Sequence, residues 1–317
     1  MKIGYMLVAL IVLSITSLFI GNSEISPMDI FHLTPVQLQV LQVSRIPRLI
    51  SIVVAGVSMS VIGLIMQQLT RNRFVSPTTA GTIDSARLGI LVALMLFPGA
   101  APLQKMLIAF AFALAGTLIF MRILEKVKFK DTIYIALLGL MFGNIISSIT
   151  TFFAYKNDLI QNMSSWLQGD FSTILKGRYE LIYISIPLVI IAYLFAGRFT
   201  LAGMGEEFAT NLGLSYRRVV NIGLILVAMI SSVVIITVGT IPFLGLVVPN
   251  IVTMYRGDNL RITLPHTALL GAIFVLVCDI LGQLIIYPYQ VSISLTVGVV
   301  GSALFLYLLL RRKAYAS

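Results

Sequence analysis

This sequence predicts an all-α polytopic membrane protein of about ten transmembrane helices, and three observations carry that prediction. Hydrophobic residues make up 58% of its 317 residues and charged residues only 11%, where a soluble domain carries roughly a quarter charged. Mean hydropathy is +1.01. Apolar stretches long enough to cross about 30 Å of hydrocarbon, which takes roughly 20 helical residues, recur along nearly the whole chain. Little polypeptide lies between them, so residues 1–317 read as a single membrane domain with no soluble catalytic domain attached.

The first stretch, 3–20, follows Met1-Lys2; its length and the lack of a small-x-small cleavage site predict a retained helix rather than a signal peptide. A polar connection, 22–44, with Pro27 and Pro35, leads to Arg45-Ile-Pro-Arg48 and the second stretch, 49–67. The third, 84–98, is short and carries Asp84 and Arg87 at its start. Stretches 106–122 and 132–155 follow, the latter with Gly139 and Gly143 four residues apart and Ser147 one turn on. Small residues at that spacing let helix backbones approach closely in lipid, and Gly56 with Gly63, and Gly298 with Gly301, read the same way. A second polar connection, 156–178, contains Trp166, a residue favoured at the membrane interface. The sixth stretch, 179–197, and the seventh, 219–239, bracket a glycine- and glutamate-bearing loop. The eighth, 241–255, is interrupted by Pro242, Gly245 and Pro249; the ninth, 265–287, holds Cys278 and Asp279; the tenth, 292–310, runs into a basic tail.

Ten crossings that start in the cytoplasm place fifteen basic residues inside and six outside, with Arg87 within a span. The positive-inside bias therefore predicts cytoplasmic N and C termini in the cell membrane. The net charge of +10 is largely this topology signal, and a nucleic-acid partner is not implied. Arg45 and Arg48 are outside exceptions at the mouth of the second span. They read either as interfacial anchors or as a docking site for carboxylates of an extracytoplasmic partner. Asp84 and Arg87, three residues apart, share a helix face and form either a neutralising pair or part of a polar pathway. Asp279 has no partner nearby in sequence; Gln67, Asn144 and Asp279 join Asp84 and Arg87 as the polar side chains within spans.

The most distinctive inner loop lies within 200–218. Gly205 precedes Glu206 and Glu207, which suit the positive end of a short helix. Phe208 and Leu212 share a face, and Gly213 is placed to stop the helix. So short a helix is marginal alone, which leaves a plain connector or a knob for a cytoplasmic partner. Other chemistry is missing from the sequence: there is no phosphate-binding loop, no hydrolase or metalloprotease motif, and His32 and His266 lack ligand-spaced neighbours, so neither metal nor bound cofactor is expected. Cys278 reads as a packing residue.

Over nearly its whole length the chain resembles the FecCD-type permeases, membrane subunits of ATP-binding-cassette importers for iron–siderophore complexes, haem and cobalamin. Arg45-Ile-Pro-Arg48 with Gly56, Gly63, Gln67, Arg71 and Asn72 is similar to the family's first signature. Gly203-Met204-Gly205 through Leu212-Gly213 resembles its coupling loop, and Gly239-Thr-Ile-Pro-Phe-Leu-Gly-Leu-Val-Val-Pro249 its most specific block. The resemblance implies a type II (cobalamin/siderophore) importer permease fold and import of a ferric siderophore by alternating access. It also implies a homo- or heterodimer with a second permease subunit, two cytoplasmic ABC ATPases that use the ATP, and a siderophore-binding lipoprotein. By resemblance, Arg45 and Arg48 dock the lipoprotein, and Met204, Gly205, Glu206, Glu207, Phe208, Leu212 and Gly213 couple to the ATPase. Asn250, Gln283 and Gln290-Val-Ser292 depart from the family pattern, and the details around Phe74–Gly81 and Trp166–Phe171 are nearest to Gram-positive permeases for catecholate siderophores of the petrobactin type. A proton- or ion-coupled carrier using Asp84 or Asp279 is the competing expectation.

Overall fold

The computed structural model describes residues 2–21, 34–77, 81–126, 132–177 and 179–314. The expected connection at 22–33, Lys128 and Lys130, and residues 315–317 lie outside the described residues, as do the side chains of Trp166, Arg311, Arg312 and Lys313. Helices α1 (Ile3–Phe19), α2 (Pro35–Val40), α3 (Ile46–Leu69), α4 (Thr82–Leu96), α5 (Pro102–Lys126), α6 (Thr132–Lys156) and α7 (Ile160–Leu167) make the first half. The second half holds α8 (Ser185–Leu194), α9 (Ala196–Gly203), α10 (Glu206–Asn211), α11 (Tyr216–Val238), α12 (Leu244–Arg256), α13 (Leu260–Leu284) and α14 (Ile293–Ala314). Among the described residues there is no strand, only one parallel bridge between Gln168 and Thr240.

Every expected apolar stretch falls on a helix, so the chain is a multi-pass membrane protein. Six helical segments are long and apolar enough to span, namely Pro35–Leu69, Leu103–Phe120, Leu137–Lys156, Tyr216–Val238, Leu260–Leu284 and Ile293–Leu310. The sixth stretch is bent: its two halves, Glu180–Leu194 and Ala196–Gly203, meet at 59°. Helices α1, α4 and α12 are shorter, at 17, 15 and 13 residues.

Two prolines dictate local geometry that positions the polar groups discussed below. Pro47 has no N–H to give to the carbonyl one turn earlier, that of Val43. The chain answers with a π turn over Leu41–Arg45, and the Val43 carbonyl takes the Lys176 N–H at 2.9 Å instead. Pro249 likewise leaves the Gly245 carbonyl without its helical donor, and the Gln67 amide from α3 approaches that oxygen at 3.4 Å and the Leu246 carbonyl at 3.3 Å. Gln67, noted in the sequence as a polar side chain within a span, is thereby a buried clamp between α3 and α12.

Helix α3 is the hub, packed on α11, α12 and α13. Its contacts are backbone-close because glycines face each other. A Cβ on Gly56 would sit 2.8 Å from the Gly271 carbonyl oxygen, and one on Gly63 would overlap the Gly245 carbonyl. At the far end of α11, Gly239 (φ +81) turns the chain under the carbonyl of Gln168, where only glycine fits. The Gly169 N–H then donates to Ser294 Oγ at 2.7 Å, and Ser294 Oγ donates to the Thr240 carbonyl at 2.7 Å. Three distant segments are thus stitched beside the α11–α12 turn. By contrast, the apolar windows of α6 and α14 are only 22% buried, which makes them the uncovered walls of the protomer.

Gly63→Ala is expected to lower the thermal stability of the detergent-solubilised protein by the roughly 1–3 kcal/mol typical of overpacking, or to abolish folding. Gly298→Ala meets only Pro242 at an ordinary 3.6 Å and should be neutral. Thermal unfolding followed by size-exclusion chromatography compares the two.

Candidate functional site

Three polar regions survive the burial of the apolar stretches. The first is the loop between α9 and α11. Gly205, at φ +120, begins α10, with Glu206 and Glu207 in its first turn. Gly213, at φ +77, ends it: the Leu214 N–H bonds the Ala209 carbonyl and the Gly213 N–H bonds the Thr210 carbonyl, both at 2.9 Å. That pairing satisfies carbonyls a helix end leaves open. Ala209 is buried against the body, whereas Phe208 and Leu212, four residues apart, are 47% and 58% exposed, and Met204, at the end of α9 just before the Gly205 turn, is 56% exposed. An apolar stripe on the outside of a one-and-a-half-turn helix is a contact surface without a contact. Beside it a cavity of about 610 Å³ is lined by Gln68, Arg71, Arg73, Met204 and Asp258 among others, with Arg73 paired to Asp258 at 3.1 Å on its lip.

The second region lies at the opposite end of α3. Arg45 and Arg48, which the sequence reads as interfacial anchors or as a docking site, are both engaged within this protomer. Arg45 is buried, and its guanidinium donates to the Leu18 carbonyl of α1. Arg48 Nη2 donates to Asp279 Oδ1 at 2.8 Å and Nη1 to Gln290 Oε1 at 2.6 Å, while Gln283 Nε2 donates to Asp279 Oδ2 at 2.7 Å. The reason is the 4% exposure of Asp279: a carboxylate that deep draws in the nearest cation. Gln283 and Gln290, noted in the sequence only as departures from a pattern, belong to this cluster.

The third region is central. Asp84 and Arg87 do share a face of α4, but their closest atoms are 3.9 Å apart, well beyond the 2.7–2.9 Å of a charge-assisted hydrogen bond. Asp84 packs at the glycine gap of α6, where a Cβ on Gly143 would lie 2.7 Å from its Oδ2. Arg87 extends to a cavity of about 380 Å³ bounded by α4, α6, α7, Gln168, Thr240 and Ser294. Asn144 lies one turn from this cavity, on the exposed side of α6, in line with Ser147, Ser148 and Thr151 at helical intervals of three and four. The sequence flagged Arg87 and Asn144; the hydroxyls passed unnoticed because serine and threonine inside spans ordinarily bond their own backbone, as Thr150 does to the Ile146 carbonyl. Among the described residues no group of His, Cys, Asp and Glu is arranged to hold a metal ion.

Residues 9–311 match the model of the FecCD transport family. The chain is 66% identical over 316 residues to the petrobactin import system permease protein YclN of Bacillus subtilis, covering 100% of both. It is 41% identical to the ferric-anguibactin transport system permease protein FatD of Vibrio anguillarum, covering 96% of this chain and 98% of that one. A metal-chelate type ABC transporter solved in an inward-facing conformation has a TM-score of 0.84 at 21% identity, covering 98% of each chain. The fold is that of the type II importer permeases.

Asp279→Ala should destabilise the protein by about 3–5 kcal/mol, because it strands a largely buried Arg48. Arg48→Met with Asp279→Leu removes both charges and should recover much of that loss. A double-mutant cycle on thermal unfolding in detergent measures the coupling; additive losses would mean that the two side chains do not interact.

Proposed function

We propose a role for this chain, which belongs to the FecCD transport family, as the membrane-spanning half of an ATP-driven importer of ferric siderophores. It is a transport subunit rather than an enzyme, as its relatives are permeases. In this reading the end bearing α10 is cytoplasmic, in agreement with the basic residues concentrated there, and both termini lie on that side. Two such permease subunits, identical or related, enclose the path. Two cytoplasmic ATPases seat α10, and a lipoprotein delivers the loaded siderophore at the other end.

The observation that carries the proposal is the exposed stripe of Phe208 and Leu212, with Met204 beside it, on a helix too short to stand alone. Such a knob suits a cleft on a partner, and its attachment to α9 and α11 connects that partner to the core. ATP closure of the partner subunits would then shift α10 and, through it, the spans around the path. Docking of the lipoprotein through Arg45 and Arg48 belongs to the same proposal. Since both guanidinium groups are engaged inside the protomer, a docking carboxylate must join or displace those contacts. The carrier alternative is weakened because neither intramembrane acid stands alone: Asp279 is bound by Arg48 and Asp84 faces Arg87.

Phe208→Asp is expected to abolish co-purification of the ATPase while leaving the spans folded, since it places a charge in the centre of the apolar stripe. Wild-type recovery of ATPase with this variant would refute the coupling role. For the transport role, iron-55 uptake by cells with and without this permease, tested with a panel of single ferric siderophores that includes ferric petrobactin, should show at least one complex lost with the gene. Uptake that survives ATP depletion would instead favour the carrier.

A further inference from the structure

The cavity beside Arg87 combines features that a lipid-facing or purely structural hollow does not need. Among the described residues that line it, Arg87 is the only ionised side chain, and there is no carboxylate. Ser147, Thr150, Thr151, Gln168 and Ser294 supply polar walls. Asp84, the natural counter-charge, stands 3.9 Å from Arg87 Nη1, so it lowers the local charge without making a charge-assisted hydrogen bond. Arg87 Nε is buried and has no partner among the described residues, an arrangement that costs free energy unless another acceptor arrives. Two of its lining residues, Ser147 and Thr151, belong to the Asn144–Ser147–Ser148–Thr151 line of α6, on which Asn144, Ser148 and Thr151 are exposed.

We propose that this alcove is an anion subsite, in which the Arg87 guanidinium receives carboxylate or phenolate oxygens of a metal chelate as it passes. The inference rests on the importer reading above and adds a residue and a charge preference to it. A planar guanidinium binds such paired oxygens through two parallel hydrogen bonds. The partial neutralisation by Asp84 and the hydroxyl walls keep the grip weak enough for release, as a transit site requires. Neutral and cationic chelates would gain nothing there.

The test uses the full importer complex in membrane vesicles. Cys278, the native cysteine, is buried, so Thr151→Cys offers a single reactive thiol in the alcove. Its reaction rates with an anionic methanethiosulfonate (ethylsulfonate) and a cationic one (trimethylammonium) are each divided by the rate with a free thiol. With Arg87 present the anionic reagent should be favoured, and Arg87→Gln should lower that preference roughly tenfold, while Arg87→Lys keeps most of it. The Asp84→Asn, Arg87→Gln double variant, which leaves no stranded carboxylate, guards against misfolding and should lose the preference as fully. A preference unchanged in both neutral variants overturns the subsite. In parallel, uptake of an iron-55 ferric triscatecholate, a polyanion, should fall at least several-fold in Arg87→Gln and be retained in Arg87→Lys. Equal uptake by wild type and Arg87→Gln also overturns it. Loss of reagent preference together with no wild-type uptake of any ferric chelate would support the subsite and refute the importer reading instead.

Discussion

The close approach of backbones along one face of α3 is the constraint on which the rest of the molecule depends. In lipid there is no hydrophobic gain from bringing two apolar helices together, so packing and backbone contact must hold the bundle. Gly56 against Gly271 and Gly63 against Gly245 let α13 and α12 reach α3 with no side chain between them. That contact allows a 13-residue helix such as α12 to end inside the bundle: its freed carbonyl is covered by Gln67, and its start is held by the Gly239 turn and the Ser294 stitch. Unsatisfied backbone in a membrane is tolerated only where it is covered, and here the Gln67 amide covers it.

The same economy governs charge. Each intramembrane carboxylate is met by an arginine from a position where the chain has just been bent or begun: Arg48 follows the π turn that Pro47 imposes, and Arg87 lies in the second turn of α4. The two pairs nonetheless differ in kind. Arg48 and Asp279 are tight, share two glutamines and join α3 to α13, as a structural clasp should. Arg87 and Asp84 are loose, 3.9 Å apart at closest and on one helix, which is poor clasp design and reasonable for a site that trades partners.

The architecture was legible because membrane spans announce themselves by length and composition, and the glycine pairs because small residues inside spans have few other uses. The α10 helix was legible down to its caps, since Gly205, Glu206, Glu207 and Gly213 each have a local meaning. What sequence could not supply was partnership across distance. Nothing local links Arg48 to Asp279, 231 positions away, or places Gln290 beside them. The sequence reads Arg45 and Arg48 as anchors or as a docking site, but what they engage is decided by what the neighbouring helices offer. Gln67 is a related case: the sequence marks only a polar side chain inside a span, and the structure shows beside it the carbonyl that Pro249 leaves uncovered. The alcove was hidden because its walls come from five separate segments.

These placements also separate what is tied to the core from what is lightly covered. The glycine contacts, the Gln67 amide and the Arg48–Asp279 pair together tie α3 to α12 and α13. Helix α10 is small, capped at both ends and attached to α9 and α11, which pack on α3; a force on its exposed stripe is therefore delivered to the core rather than dissipated in a loop. Helices α6 and α14 are lightly covered by the rest of the chain, as is α1, in which Met6 and Ser17 alone are buried. The glycines thus tie the short helix α10, through α9 and α11, to the core of the bundle.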